Sequence, residues 1–102
     1  MDSMNTTPSK TEITSSTQEP VVYVVDDMPQ VLDVVRMILE KEGCKVITFQ
    51  SGKEFLAQEE ISEIGCVILD NQMPEMTGLD VQAELIERGY SIPIIFVSGA
   101  SR

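Results

Sequence analysis

GCVILDNQMPEMTG, residues Gly65–Gly78, decides how this chain folds. The run Cys66-Val67-Ile68-Leu69 leads straight into a carboxylate, Asp70, and the apolar character stops there. Asn71 and Gln72 follow, then a Met73–Pro74 break, then Gly78 at the mouth of a helical pattern. A short apolar run bounded by turn signals reads as a strand, Cys66–Leu69, buried on both faces. An acid closing such a strand stands at the carboxyl lip of a parallel sheet, where open α/β folds bind their ligands. With no role there it would only carry a desolvation cost, so Asp70 is read as a site residue.

Upstream, Val21–Val25 (VVYVV) is a second β-branched run, and it too ends on acids, Asp26 and Asp27. Asp27 is placed to cap the next helix, whose first turn suits Pro29 because its missing N–H is no loss there. Val31, Val34, Val35, Ile38 and Leu39 then recur at helical spacing, and Gly43 ends the pattern. Lys45–Phe49 reads as a short strand. Ser51 and Glu54 match a capping box, which predicts a helix over Gly52–Gln58 with Phe55 and Leu56 inward. Glu59–Ile64 is a loop or a frayed end. Downstream of the opening stretch, Thr77 and Gly78 start a third helix with Leu79, Ala83 and Ile86 on one stripe, flanked by Val81 and Leu85, and Gly89 closes it. Ile92–Val97 is the fourth strand, Pro93 being tolerable at a strand start, and it runs into Ser98-Gly99. The pattern β-α-β-α-β-α-β with short connections predicts an α/β fold, a doubly wound parallel sheet built by right-handed crossovers.

Composition narrows the chemistry. The 102 residues allow one domain, and 17 acidic against 7 basic residues leave a formal net charge of −10. That balance argues against direct nucleic acid binding and against anionic membranes. No histidine is present, which removes the commonest general base and metal ligand. Cys44 and Cys66 are too few for a disulfide framework and read as reduced filler. Residues 1–19 are polar, hold Ile13 as an isolated apolar residue, and lack the features of a signal peptide; they read as a disordered tail before a domain over 20–102. No stretch is long and apolar enough for a membrane span, so a cytoplasmic protein is expected.

Asp26, Asp27, Asp70 and Ser98 each stand at the carboxyl end of a predicted strand, and in a parallel sheet those ends share one edge. Taken singly, Asp27 is explained as a cap, Asp26 as a turn residue and Ser98 as a loop opening. Together they make a pocket of carboxylates that repel one another and call for a cation. Oxygen ligands without imidazole or thiolate point to Mg²⁺ or Mn²⁺. Such a pocket suits phosphoryl transfer, with an Asp as nucleophile and the Ser98 hydroxyl on a phosphoryl oxygen.

VVYVVDDMPQV, ILDNQMPEMTGLDV and IPIIFVSGA closely resemble the receiver domain of bacterial response regulators, the phospho-accepting module of two-component signalling. The resemblance runs from Val21 to the end of the chain. The FVSG wording and the LDNQMPEMTGLDVQ run resemble receivers that precede LuxR-type DNA-binding domains, of the FixJ kind. It implies a flavodoxin-like, CheY-like sheet with strand order 2-1-3-4 and phosphorylation of Asp70 by a histidine kinase. It further implies Mg²⁺ held by Asp26, Asp27, Asp70 and the backbone carbonyl of Gln72, with Ser98 as the switch residue beside the small Gly99. Pro74 and Gly78 would shape the loop after the acceptor. A helix, a strand ending in an essential lysine and a last helix of the family pattern have no counterpart here, and Lys10, Lys41, Lys45 and Lys53 are not placed to substitute.

An exposed fourth strand and a bare sheet face are therefore expected, with dimerisation or element exchange as the outcome, and phosphorylation weaker and more Mg²⁺-dependent than in a complete receiver. The leading expectation is a phosphoryl acceptor that is not a turnover enzyme. The alternative is a non-switching fragment that serves as a kinase-docking or interaction module, with Pro29, Gln30 and Asp33 as docking candidates. A haloacid-dehalogenase-type phosphatase is disfavoured, because it wants Asp-x-Asp where this chain has adjacent acids.

Overall fold

In the computed structural model of the chain, residues 20–97 are described. The elements run β1 (Val21–Val25), α1 (Pro29–Lys41), β2 (Val46–Phe49), α2 (Gly52–Leu56), β3 (Gly65–Asp70), α3 (Gly78–Glu87) and β4 (Ile94–Val97). The strands form one all-parallel sheet in the order β2-β1-β3-β4, which is the expected 2-1-3-4 order of a doubly wound α/β fold. The expected tail over 1–19, and Ser98 and Gly99, lie outside the described residues. No described helix is long and apolar enough to cross a membrane.

The register aligns the carboxyl ends of the strands. Val25 pairs with Phe49 on one side and with Leu69 on the other, and Asp70 pairs with Val97. On one face of the sheet, Tyr23, Val25, Val67 and Leu69 pack with Phe55 and Leu56 of α2 and with Val81 and Leu85 of α3. Tyr23, Phe49 and Phe55 form a ring cluster there, with centroids 5.2 to 6.2 Å apart in tilted and edge-on arrangements. Tyr23 is buried, and its hydroxyl accepts the Ser62 N–H at 2.9 Å, while Ile61 is buried beside it. The segment over 59–64 is thus a pinned loop.

α1 covers the other face, over β1 and β2. This corrects the expectation that β3 is buried on both sides: Val67 and Leu69 are buried, but Cys66 and Ile68 on the α1 side are only half-buried. Ile95 and Val97 of β4 are exposed on that same side. For the same reason α1 buries Leu32, with Val31, Val35 and Leu39 half-buried, while Val34 and Ile38 of the expected stripe face outward.

Further expectations are corrected. Asp27 does not cap α1: the cap position is Met28, with no side-chain bond, and Asp26 Oδ1 instead accepts the Met28 N–H at 2.9 Å. Pro29 does occupy the first turn. The expected stripe of α3 is rotated: Gly78, Val81 and Leu85 are buried, while Ala83 is exposed and Leu79 and Ile86 are 56% and 67% exposed. Gly78 carries no side chain, so the helix start lies against the end of β3, and the residues three and seven positions on turn inward with it. α2 stops at Leu56, two residues short of the expected Gln58, whose side-chain amide folds back onto the Phe55 carbonyl at 2.9 Å. Ser51 caps α2 through the Glu54 N–H at 3.1 Å, but Glu54 reaches back to the Gln50 N–H, one residue before the expected box partner. β2 and β4 start one and two residues later than expected, and β3 includes Gly65 and Asp70 at its ends.

The carboxyl ends of α1 and α3 were readable. Gly43 and Gly89 both follow their helices with positive φ, and the N–H groups at and after each glycine close onto carbonyls of the last turn.

Candidate functional site

β1 and β3 are adjacent and in register, so the residues that follow Val25 and Leu69 come abreast. These are Asp26 and Asp70. One carboxylate oxygen from each of Asp26, Asp27 and Asp70 lies within 4.8 Å of the others. Asp70 is 7% exposed, and Asp26 and Asp27 are half-buried. Of the residues expected at the site, these three are brought together, while Ser98 lies outside the described residues. Gln72 is exposed, two residues past Asp70, and its N–H donates to Asp70 Oδ1 at 2.9 Å.

Among the described residues no ion pair reaches Asp27 or Asp70. Three acids at this spacing, one of them buried, hold excess negative charge in a shell of oxygen donors. That donor set fits a hard divalent cation of the Mg²⁺ type, which takes carboxylates, carbonyls and water.

A cleft of about 490 Å³ opens beside the acids, lined by Asp27, by Gln50–Lys53 ahead of and within α2, and by Met73–Met76 after β3. Lys53 is exposed on the wall of this cleft and forms no ion pair with Asp27 or Asp70. Pro29, Gln30 and Asp33 of α1 are exposed, and Asp33 is paired with Arg36 at 3.1 Å.

Asn71 and Met73 escaped the reading of the sequence. Met73, in the loop after β3, is buried in the core. Asn71 Oδ1 accepts the Leu79 N–H at 3.1 Å, a contact across eight residues. Asn is a turn residue with a side-chain acceptor, which is the one signal that marks it, but the partner is set by the tertiary path of the loop.

Residues 22–102 match the family model for the response regulator receiver domain. The chain belongs to this family. It is 48% identical over 82 residues to the response regulator protein TmoT of Ectopseudomonas mendocina, covering 80% of this chain and 37% of that protein. It thus spans well under half the length of the curated relatives it matches. Among solved structures, the response regulator StyR superposes with a TM-score of 0.74 at 36% identity, covering 78% of this chain and 40% of that one. The response regulator TrrA of Thermotoga maritima, solved in complex with Mg²⁺ and BeF, superposes with a TM-score of 0.72 at 29% identity, covering 81% of this chain and 72% of that one. The sheet order is therefore that of a receiver domain of two-component signalling. The reading of the chain as a signalling receiver is favoured over that of a non-switching fragment serving as a kinase-docking or interaction module.

Proposed function

We propose that this receiver accepts a phosphoryl group on Asp70 from a partner histidine kinase in the cytoplasm, and does so only with a divalent cation bound. The observation that carries the reading is the buried carboxylate of Asp70 at the end of β3, with oxygens of Asp26 and Asp27 within 4.8 Å. Asp26, Asp27, Asp70 and the backbone carbonyl of Gln72 would hold Mg²⁺, or Mn²⁺ in its place. The cation supplies charge neutralisation on the transferred group. The Mg²⁺–BeF complex of TrrA supports this assignment.

The chain's own residues divide the remaining work. Asp70 Oδ1 accepts the Gln72 N–H at 2.9 Å, and a carboxylate oxygen of Asp70 would be the nucleophile. It attacks phosphorus as the bond from phosphorus to the donor breaks, and the donor leaves with the electron pair. The Ser98 hydroxyl would hydrogen-bond a phosphoryl oxygen. The product is an aspartyl phosphate, and the domain is an acceptor, not a turnover enzyme. Residues 20–102 act as one receiver module, preceded by a polar tail.

The test is incubation of the full chain with Mg²⁺ and acetyl phosphate, followed by intact mass. An adduct that vanishes in Asp70→Asn and on chelation of the metal is expected. No adduct on a demonstrably folded chain would overturn the reading.

A further inference from the structure

The geometry points to Asn71 as the positioning residue of this site: it caps α3 from the end of the strand that carries Asp70, and so holds the loop over 72–77 against the acids. The inference rests on the reading of Asp70 as a metal-dependent acceptor, and it adds a residue to which that reading gives no part.

A helix leaves its first N–H groups without internal partners. In α3 the first three are all met. The Gly78 N–H donates to the Asn71 carbonyl at 3.5 Å, the Leu79 N–H to Asn71 Oδ1 at 3.1 Å, and the Asp80 N–H to Thr77 Oγ1 at 3.1 Å. Two of the three acceptors therefore belong to one residue. The Asn71 N–H donates in turn to the Val97 carbonyl at 3.4 Å, which ties the same residue to β4. The approach is close: a Cβ built on Gly78 would stand 2.9 Å from the Asp70 carbonyl oxygen and 3.0 Å from Asn71 Cα.

The consequence concerns Gln72. The loop over 72–77 leaves the strand at Asn71 and is fastened back to Asn71 at its far end. At its near end the Gln72 N–H holds Asp70 Oδ1, and the Gln72 carbonyl is the one proposed toward the cation. A side chain at position 71 with no acceptor frees the Leu79 N–H and opens the far end of the loop. Gln72 then loses the support that orients it. Thr77 makes a separate cap on the same helix, through a reciprocal capping box with Asp80. Breaking that box weakens the helix start without touching either Asn71 bond, so it separates positioning from stability.

The experiment compares the full chain with Asn71→Leu, Asn71→Asp and Thr77→Ala, by amide exchange over 72–79 and by Mg²⁺ titration followed by NMR. Asn71→Leu should speed exchange at Leu79 and weaken Mg²⁺ binding roughly tenfold, the low end for loss of an outer-shell partner. Thr77→Ala should lower stability and leave the Mg²⁺ affinity unchanged. Asn71→Asp keeps the acceptor and should keep Leu79 protected. Unchanged exchange at Leu79 in Asn71→Leu, or Mg²⁺ affinity falling equally in Thr77→Ala, overturns the assignment. If the parent chain binds no Mg²⁺, the acceptor reading fails, and exchange over 72–79 decides the role of Asn71 alone: faster exchange supports it and unchanged exchange overturns it. If Asn71→Leu does not fold, Asn71→Asp decides: retained Leu79 protection supports the assignment and its loss overturns it.

Discussion

At the scale of single residues, backbone geometry and burial set the sharpest expectations. Gly65 opens β3 with φ +118°, and a Cβ there would meet the Val21 carbonyl oxygen at 2.2 Å. Gly65→Ala should therefore destabilise the fold by about 1–3 kcal/mol from backbone strain, with the clash adding to it, measured by urea unfolding. An unchanged midpoint would show that the strand start relaxes freely. Cys66 lies half-buried in the same strand, and burial, with the Cys44 thiol as a lesser influence, pushes its thiol pKa up. At a given mildly alkaline pH less of it is thiolate, so iodoacetamide should label Cys66 more slowly in the native chain than in the urea-unfolded chain. The sign for stability follows: because the folded value is the higher, the neutral thiol favours the native state below the ordinary thiol value. That contribution is lost as pH rises through the folded value. Equal labelling rates in the two states would remove the argument. The single acids were readable at this scale because each closes an apolar run, whereas the bonds of Asn71 were not, since their partners, Gly78, Leu79 and Val97, lie seven or more residues away.

At the scale of elements, α2 shows what a short helix needs. Five residues are too few to be stable by propensity, so the packing of Phe55 and Leu56 must hold it. Phe55 is fully buried and meets the rings of Tyr23 and Phe49, which joins α2 to β1 and β2. Phe55→Ala should cost about 3–5 kcal/mol in urea unfolding and bring β2 amides into faster exchange. A loss below that range with β2 still protected would mean that α2 is peripheral. Strand centres and several helix ends were readable from local chemistry: Pro29 in the first turn of α1, Gly43 and Gly89 past the last turns of α1 and α3, Ser51 as a cap, and Thr77–Gly78 at the start of α3. Which side of a helix faces inward was not. On α3 both Leu79/Ala83/Ile86 and Gly78/Val81/Leu85 form plausible stripes, and only the close approach of Gly78 to the end of β3 selects the second.

At the scale of the whole molecule, the surface keeps a sizeable apolar share on the α1 side and at β4. Val34 and Ile38 of α1 are exposed, as are Ile95 and Val97 on the same side of β4, which is an edge strand of the described sheet. Exposed edges and contiguous apolar surface favour association. The 102-residue chain should therefore sediment with a concentration-dependent coefficient, and Ile95→Lys should weaken that dependence. Sedimentation as a monomer at every concentration would show that the edge is self-protected. The acidic balance bears on the same scale, because a net charge of −10 opposes contact with phosphate backbones but does not prevent two apolar faces from meeting. By itself the sequence determined the order and type of the elements, the parallel sheet, and the acids that close β1 and β3. Those depend on local periodicity, turn chemistry and the rule that short crossovers make parallel neighbours. Only the tertiary structure decided which face of each helix is buried and that Asp26 rather than Asp27 holds the entry to α1. It alone put oxygens of Asp26, Asp27 and Asp70 within 4.8 Å and set α3 on Asn71. Such facts arise from register between strands distant in sequence and from close backbone approach, which no local pattern encodes.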